Sequence, residues 1–195
     1  MGITISQPVD GKCNDSPLAV AAVAEITQLF AVTLVQLQAL QAIWCSEESE
    51  EGDLPTREAD LSCEEFEEAL NSVKFAASDR AIFDRLFTLL DGTGDERILA
   101  TEFLIGASVL LRGSLDVKLQ AALQFASDAD SLEGGLSPEG LNFALTTLTS
   151  VASFFGDPLV PVEDVSRVVE DVYGSEELVK RIEEHSLVQK YAYSN

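Results

Sequence analysis

Apolar residues recur every three or four positions along most of the chain, which is the spacing that places side chains on one face of an α-helix. The pattern is clearest on either side of a polar stretch at residues 91–102. The apolar positions before that stretch are Ile82, Phe83, Leu86, Phe87 and Leu90, and those after it are Phe103, Leu104, Ala107, Leu110 and Leu111. Because no run of alternating strand residues accompanies these segments, the sequence predicts an all-α fold.

The helices are predicted from this spacing and from the residues that interrupt it. One helix is predicted on each side of the polar stretch, and the other predicted ranges are 18–44, 64–73, 115–126, 138–154, 162–173 and 176–191. Asp79 is expected to cap the third helix, and Gly113 is expected to end the fourth. Residues 46–60 are acidic and contain a proline, and residues 154–161 contain two, so both stretches are predicted to be loops.

A longer repeat divides the chain into similar units. An apolar residue preceded by an acidic one, or by glycine in one copy, recurs at steps of 37, 38 and 37 residues, as Glu65-Phe66, Glu102-Phe103, Gly140-Leu141 and Glu177-Leu178. An apolar side chain stands before each pair in the same phase, at Leu61, Ile98, Leu136 and Tyr173. This period fits one helix, a loop of about a dozen residues and a second helix. The sequence therefore predicts repeated helix–loop–helix units.

The loop of the second unit, DGTGDERILATE at residues 91–102, has the composition of a calcium site. A hard cation such as Ca²⁺ takes about six to eight oxygen ligands, and a loop of this kind supplies them from positions 1, 3, 5, 7, 9 and 12. The predicted ligands are the side chains of Asp91, Thr93, Asp95 and Glu102 and the backbone carbonyl of Arg97. Ile98, at position 8, is expected to pair with a neighbouring loop.

Three features of this loop depart from the ideal pattern. Position 6 turns with a positive φ and is normally glycine, whereas this chain has Glu96, at a cost of about 1 kcal/mol. Thr93 replaces the usual Asp or Asn and so removes one negative charge from the ligand set. Leu99, at position 9, cannot act as a ligand. We therefore expect Ca²⁺ binding that is weaker than in the best sensors.

The remaining units lack this ligand pattern. The stretch 128–140 offers Asp128, Asp130 and Glu133, but it has one extra residue and ends on Gly140, which removes the bidentate ligand. We expect it to be a metal-free structural partner. The first unit has a long irregular loop and the fourth has almost no loop character, so both are expected to serve as scaffold.

Charge and residue counts narrow the range of functions. The chain has 34 acidic and 12 basic residues, and its net charge of −22 repels nucleic acids while it favours cations and basic partners. Three cysteines without a CxxC motif and a single histidine argue against a structural zinc site. No Ser-His-Asp or Cys-His arrangement and no phosphate-binding glycine loop is present, so we do not expect an enzyme.

The segment from Phe83 to Leu119, which contains the candidate loop and the run LLRGSLDVKL, is similar to EF-hand calcium sensors. The nearest groups are the neuronal calcium sensors, calcineurin B, the plant calcineurin-B-like proteins and the ciliary sensor calaxin, and the stretch FAVTLVQLQALQAIW resembles their first helix. The resemblance implies paired EF-hands in two lobes, as in calmodulin or recoverin. The expected divisions are a flexible segment at 1–17, an N-terminal pair at 18–113 and a degenerate C-terminal pair at 114–195.

The family also implies a function, that of a sensor or regulatory subunit without enzymatic activity. Ca²⁺ would change the packing of a lobe and expose an apolar groove that takes an amphipathic helix of a target protein. The groove would be lined by Phe75, Phe83, Phe87 and Phe103, although the same side chains could equally form the core of a closed lobe. The alternative is a structural adaptor that kept the architecture and lost calcium control, and Glu96 and Gly140 favour it.

The expected location is the cytoplasm. The start of the chain, MGITIS, matches the myristoylation pattern at Gly2 with Ser6, and one such acyl chain would add only weak, reversible membrane binding. The apolar stretch 18–44 is interrupted by glutamines, so a buried amphipathic helix is expected there rather than a membrane span.

Overall fold

Helices make up most of the computed structural model, which describes residues 31–45, 60–130 and 135–188. In chain order they are α1 (Leu34–Cys45), α2 (Cys63–Ser72), α3 (Ala77–Leu90), α4 (Ala100–Ser108), α5 (Leu115–Asp130), α6 (Pro138–Phe154), α7 (Val162–Val172) and α8 (Leu178–Glu184). Two short strands, β1 (Asp60–Ser62) and β2 (Arg97–Leu99), form an antiparallel pair. The prediction of a helical fold is confirmed.

Helix α6 has the predicted bounds because both of its ends carry strong local signals. The hydroxyl of Ser137 accepts a hydrogen bond from the N–H of Gly140 at 2.9 Å, and Pro138 occupies the first turn, where its missing N–H costs nothing. After the helix the chain turns at Gly156, where φ is 109°. Helix α5 also begins where predicted, but it continues to Asp130 rather than ending at 126.

Helix α1 begins later than the sequence pattern predicts. Residues 31–33 are not helical, which corrects that part of the predicted helix, and residues 1–30, with the candidate acylation site Gly2, lie outside the described residues. The start is set by Thr33 and Gln36. The N–H of Gln36 donates to Thr33 Oγ1 at 3.3 Å, and Gln36 Oε1 accepts from the N–H of Thr33 at 3.0 Å, which is a capping box.

Asp79 does not cap α3, contrary to the prediction. Ala76 is the N-cap residue and offers no side-chain hydrogen bond, while Asp79 lies inside the first turn and is 1% exposed. Its Oδ1 accepts from the N–H of Ala31 at 3.4 Å. A residue that was expected to serve its own helix therefore ties α3 to the segment before α1.

The last predicted helix, 176–191, is broken at His185. The backbone of His185 is extended, with φ −65° and ψ 134°, so α8 ends at Glu184. The imidazole Nε2 lies 3.0 Å from Asp171 Oδ2, and Nδ1 accepts from the N–H of Leu187 at 3.3 Å. These contacts attach the break to α7, and residues 189–195 lie outside the described part of the chain.

Helix α4 is the centre of the core. It packs against α1, α3, α5 and α6, and every residue from Phe103 to Ser108 is buried. Gly106 allows the closest approach to α6, because a Cβ there would lie 3.1 Å from Val151 Cγ2. The buried apolar side chains form one cluster that runs from Val32 to Ile182 and so crosses the predicted division at 113/114. That division stays a prediction.

The two strands join the connections that precede α2 and α4. Leu61 lies opposite Ile98, and Asp60 and Ser62 lie opposite Leu99 and Arg97. Leu61 and Ile98 are 4% and 3% exposed, so both side chains enter the core beneath the strands. These are the two residues that share a phase in the first and second sequence repeats. Ile98, which the sequence predicts to pair with a neighbouring loop, lies opposite Leu61.

None of the described helices is long and apolar enough to cross a lipid bilayer.

Candidate metal centre

The predicted ligands lie along one continuous connection between two helices. Asp91 is the C-cap residue that follows α3, and residues 92–96 form a tight bend. Arg97 opens β2, and Glu102 lies in the first turn of α4. The segment α3–bend–β2–α4 is the helix–loop–helix unit predicted from the repeat.

The bend closes onto the carboxylate of Asp91. Its Oδ1 accepts from the N–H groups of Gly94 at 2.8 Å and Asp95 at 3.2 Å, and its Oδ2 accepts from the N–H of Glu96 at 3.1 Å. Three successive amides therefore point at one side chain. The hydroxyl of Thr93 donates to Asp95 Oδ1 at 2.7 Å and lies 3.4 Å from Asp91 Oδ1. The structure thus brings the predicted ligands Asp91, Thr93 and Asp95 together.

The surroundings of the bend lower the pKa of one predicted ligand, Asp95. The hydrogen bond from Thr93 is the main cause that lowers the pKa of Asp95, and the positive charge of Arg97 adds to it. Arg97 itself is held by β1, because its Nε donates to Asp60 Oδ2 at 2.7 Å and a second guanidinium nitrogen donates to the Asp60 carbonyl. This pairing raises the pKa of Arg97. The Arg97 side chain is engaged across the ladder, and its contribution to a metal site would come from the backbone carbonyl.

Glu96 adopts the left-handed conformation that the loop pattern requires at position 6. Its φ is 61°, and it is the one non-glycine residue with a positive φ among the described residues. Gly94 also has a positive φ, of 72°. The positive φ expected at Glu96 is confirmed, and the cost that accompanies it stays a prediction.

Replacing Glu96 with glycine is expected to raise the free energy of unfolding by about 1 kcal/mol, because glycine adopts this φ without the steric cost of a Cβ. Urea unfolding in the absence of Ca²⁺ measures the change. Glu96→Gln is the matched control, since it removes the charge and keeps the side chain. An equal gain in both variants would assign the effect to charge repulsion instead of backbone strain.

Glu102 does not join Asp91 and Asp95 in one compact group. Across residues 31–45, 60–130 and 135–188, no three His, Cys, Asp or Glu side chains gather into a group that could hold a metal ion. Glu102 is half-buried at the start of α4 and makes interactions of its own. The donor set fits Ca²⁺ in its chemistry, because every predicted ligand atom is an oxygen and two carboxylates and a hydroxyl are already adjacent. The complete five-ligand arrangement is not assembled.

An aromatic cluster lies directly behind Glu102. Phe103, the next residue, is fully buried, and its ring centroid lies 5.7 Å from that of Trp44, 4.9 Å from that of Phe66 and 5.3 Å from that of Phe83. The cluster joins α4 to α1, α2 and α3. The buried Trp44 Nε1 has no hydrogen-bond partner among the described residues. Sequence reasoning missed the role of Trp44, although its place at the end of an apolar helix was the available signal.

The phenylalanines predicted to line a partner groove are mostly core residues in this structure. Phe83 and Phe103 are 0% exposed and Phe87 is 7% exposed, while Phe75 is half-buried against Phe83. Of the two readings of these side chains, the closed core is the one found. The groove that the family resemblance implies is not open here.

The first unit uses its acidic residue for a different purpose. Glu65, which is equivalent to Glu102 in the repeat, accepts from the N–H of Ser62 at 2.7 Å, and Ser62 Oγ accepts from the N–H of Glu65 at 3.3 Å. This capping box starts α2. The pKa of Glu65 is lowered mainly by its hydrogen bonds with Ser62. The carboxylate therefore links the end of β1 to the first turn of α2.

The third and fourth units also differ from the second. Gly140 lies in the first turn of α6 and donates to Ser137, while Glu177 pairs with Lys180 at 3.0 Å.

Comparison with known proteins finds no family model, no curated protein and no solved structure that matches this chain.

Proposed function

We propose that this chain is a Ca²⁺-binding regulatory protein of the EF-hand type, with one metal site at residues 91–102. The observation that carries the proposal is the shape of the bend. It closes three amides onto Asp91 and turns left-handed at Glu96, the position where a calcium loop needs its sharp turn. The antiparallel pairing of Leu61 with Ile98 supports a paired EF-hand arrangement for the first two units.

The ligand roles follow from the residue chemistry. Asp91 and Asp95 would supply carboxylate oxygens, Thr93 its hydroxyl and Arg97 its backbone carbonyl. Glu102 would supply the two oxygens that close the site. A bound Ca²⁺ would add a positive charge that offsets the repulsion among these acidic groups, in a chain whose net charge is already −22.

Glu102 would connect the candidate metal site to the protein core. Recruiting Glu102 to the metal would pull on the first turn of α4, and Phe103 would transmit that movement to Trp44, Phe66 and Phe83. A ligand shifts a conformational equilibrium only through a difference in its contacts in the two states. Here the difference would be the contact with Glu102. The expected consequence is a change in helix packing that exposes a surface for a target protein.

Trp44 provides the test, because it is the only tryptophan of the chain and its ring packs against Phe103. Addition of Ca²⁺ to the full-length protein is expected to change the intensity or the wavelength of Trp44 emission in a saturable manner. The Asp91→Asn variant should lose the response, and Asp128→Asn, outside the loop, should keep it. Saturable Ca²⁺ binding without any change in Trp44 emission would contradict the coupling of the site to the aromatic cluster.

A calcium-independent structural adaptor is the second candidate. The observation that favours it is that Glu102 does not gather with the other carboxylates of the described residues into a metal-binding group. In that case the bend would serve only to connect α3 with α4. The adaptor is the conclusion if neither Trp44 emission nor the thermal stability of the protein responds to millimolar Ca²⁺.

A further inference from the structure

An open cleft lies between α5 and the segment that leads into α8. It has a volume of about 740 Å³, which is within the range of ligand-binding clefts. One wall is formed by α5, with Asp116 and Gln124 among its lining residues, and the other by residues 176–180 and Glu183. The candidate calcium loop contributes no residue to this cleft.

The lining of the cleft is strongly acidic. Four carboxylates, those of Asp116, Glu176, Glu177 and Glu183, face one ammonium group, that of Lys180. Lys180 Nζ pairs with Glu177 Oε2 at 3.0 Å, so these two charges offset each other and the lining has three net negative charges. Burial raises the pKa of Glu183, and the nearby charge of Asp116 raises it further. The cleft therefore brings like charges together, and a positively charged occupant would relieve their repulsion.

The floor of the cleft is apolar. Leu123 is 8% exposed and belongs to the core, and Leu136, Leu178 and Val179 are half-buried against it. A small cation would use only the acidic rim and would leave this floor in contact with water. In the part of the chain that the structure describes, the acidic side chains also do not converge into a metal-binding group. The occupant that fits both parts has basic groups and an apolar face.

We propose that this cleft binds a lysine- or arginine-rich amphipathic segment of a partner protein, with its apolar side chains on Leu123, Leu136 and Val179 and its basic side chains toward the acidic rim. Charge complementarity is the observation that selects this partner. The inference rests on the proposed function in one respect only, namely that the chain acts by binding a protein. It does not require the calcium loop to be occupied.

The test uses a synthetic peptide of about four helical turns, with leucines at helical spacing and lysines elsewhere. Fluorescence anisotropy at about 0.15 M salt measures its binding to the full chain, with and without Ca²⁺. Glu176→Lys and Gln124→Lys change exposed residues on opposite walls of the cleft. Each is expected to weaken binding about fivefold to tenfold. A peptide with glutamate in place of lysine should not bind.

Glu163→Lys is the matched control, because Glu163 is exposed on α7 and does not line the cleft. The substitution changes the net charge by the same amount as Glu176→Lys. It should weaken binding less than about twofold. Equal weakening by Glu163→Lys would show attraction to the overall charge only, and absence of binding would also overturn the proposal. Peptide binding that persists without any Ca²⁺ response would separate this inference from the failure of the proposed calcium site.

Discussion

Replacing Phe103 with alanine is expected to lower the free energy of unfolding by about 3–5 kcal/mol, the range for large aromatic residues removed from a packed core. Phe103 is 0% exposed and contacts the rings of Trp44, Phe66 and Phe83. These residues belong to α1, α2 and α3, so the cavity would lie where four helices meet. Chemical unfolding followed by circular dichroism measures the loss.

Phe154→Ala is the control for this substitution. Phe154 is 49% exposed, and its ring contacts that of Phe155 at the end of α6. Its removal should cost about 1 kcal/mol or less, since an exposed ring loses little burial and only one aromatic contact. Similar losses for the two variants would contradict the assignment of Phe103 to the centre of the core.

Stability is expected to increase with pH in the alkaline range because of Lys118. This side chain lies on the buried face of α5 and is 3% exposed. Desolvation lowers its pKa from 10.5 to about 8, although the negative charge of Asp157 opposes that change. Between these two pH values the native protein has lost the proton and the unfolded chain still binds it. The free energy of unfolding should therefore rise by about 2–3 kcal/mol from pH 7 to pH 10.

Urea unfolding at several pH values checks this slope, with Lys118→Met as the control. The raised pKa of Cys63 acts in the opposite direction. The native protein keeps the thiol proton to a higher pH than the unfolded chain does, so this group lowers the free energy of unfolding as the pH rises. That effect is common to both proteins. The difference between their slopes therefore isolates Lys118, and parallel slopes would show that Lys118 is not desolvated in the native protein.

Local signals decided which helix boundaries could be predicted from the sequence. Ser137 and Pro138 start α6 through contacts within one turn, and such contacts are visible in the sequence. Asp79 carries an equally good local signal as a cap, yet its carboxylate accepts a hydrogen bond from Ala31, 48 residues away. The start of α1 was missed for another reason, because the pair Thr33 and Gln36 is itself a capping signal that the apolar pattern obscured.

In the candidate site, too, some features could be predicted from the sequence and others depend on how distant helices pack. The phase of Leu61 and Ile98 was visible as a repeat, and the positive φ of Glu96 was expected from its position in the loop. The burial of Lys118 and the cleft beside α5 depend on how distant helices meet, and the sequence pattern does not specify that. The direction of the Glu102 side chain depends on α4 packing in the same way, so the composition of the loop could indicate its ligands but not their convergence.

Calorimetric titration of the full-length protein with Ca²⁺ tests the central claim most directly, with Glu102→Gln as the control and Mg²⁺ as a competitor. We predict one site with a dissociation constant of roughly micromolar to tens of micromolar, which is near the weak end of the sensor range. Binding should be lost in Glu102→Gln and should survive an excess of Mg²⁺. No heat up to millimolar Ca²⁺, or an unchanged titration in Glu102→Gln, would contradict a calcium site at residues 91–102.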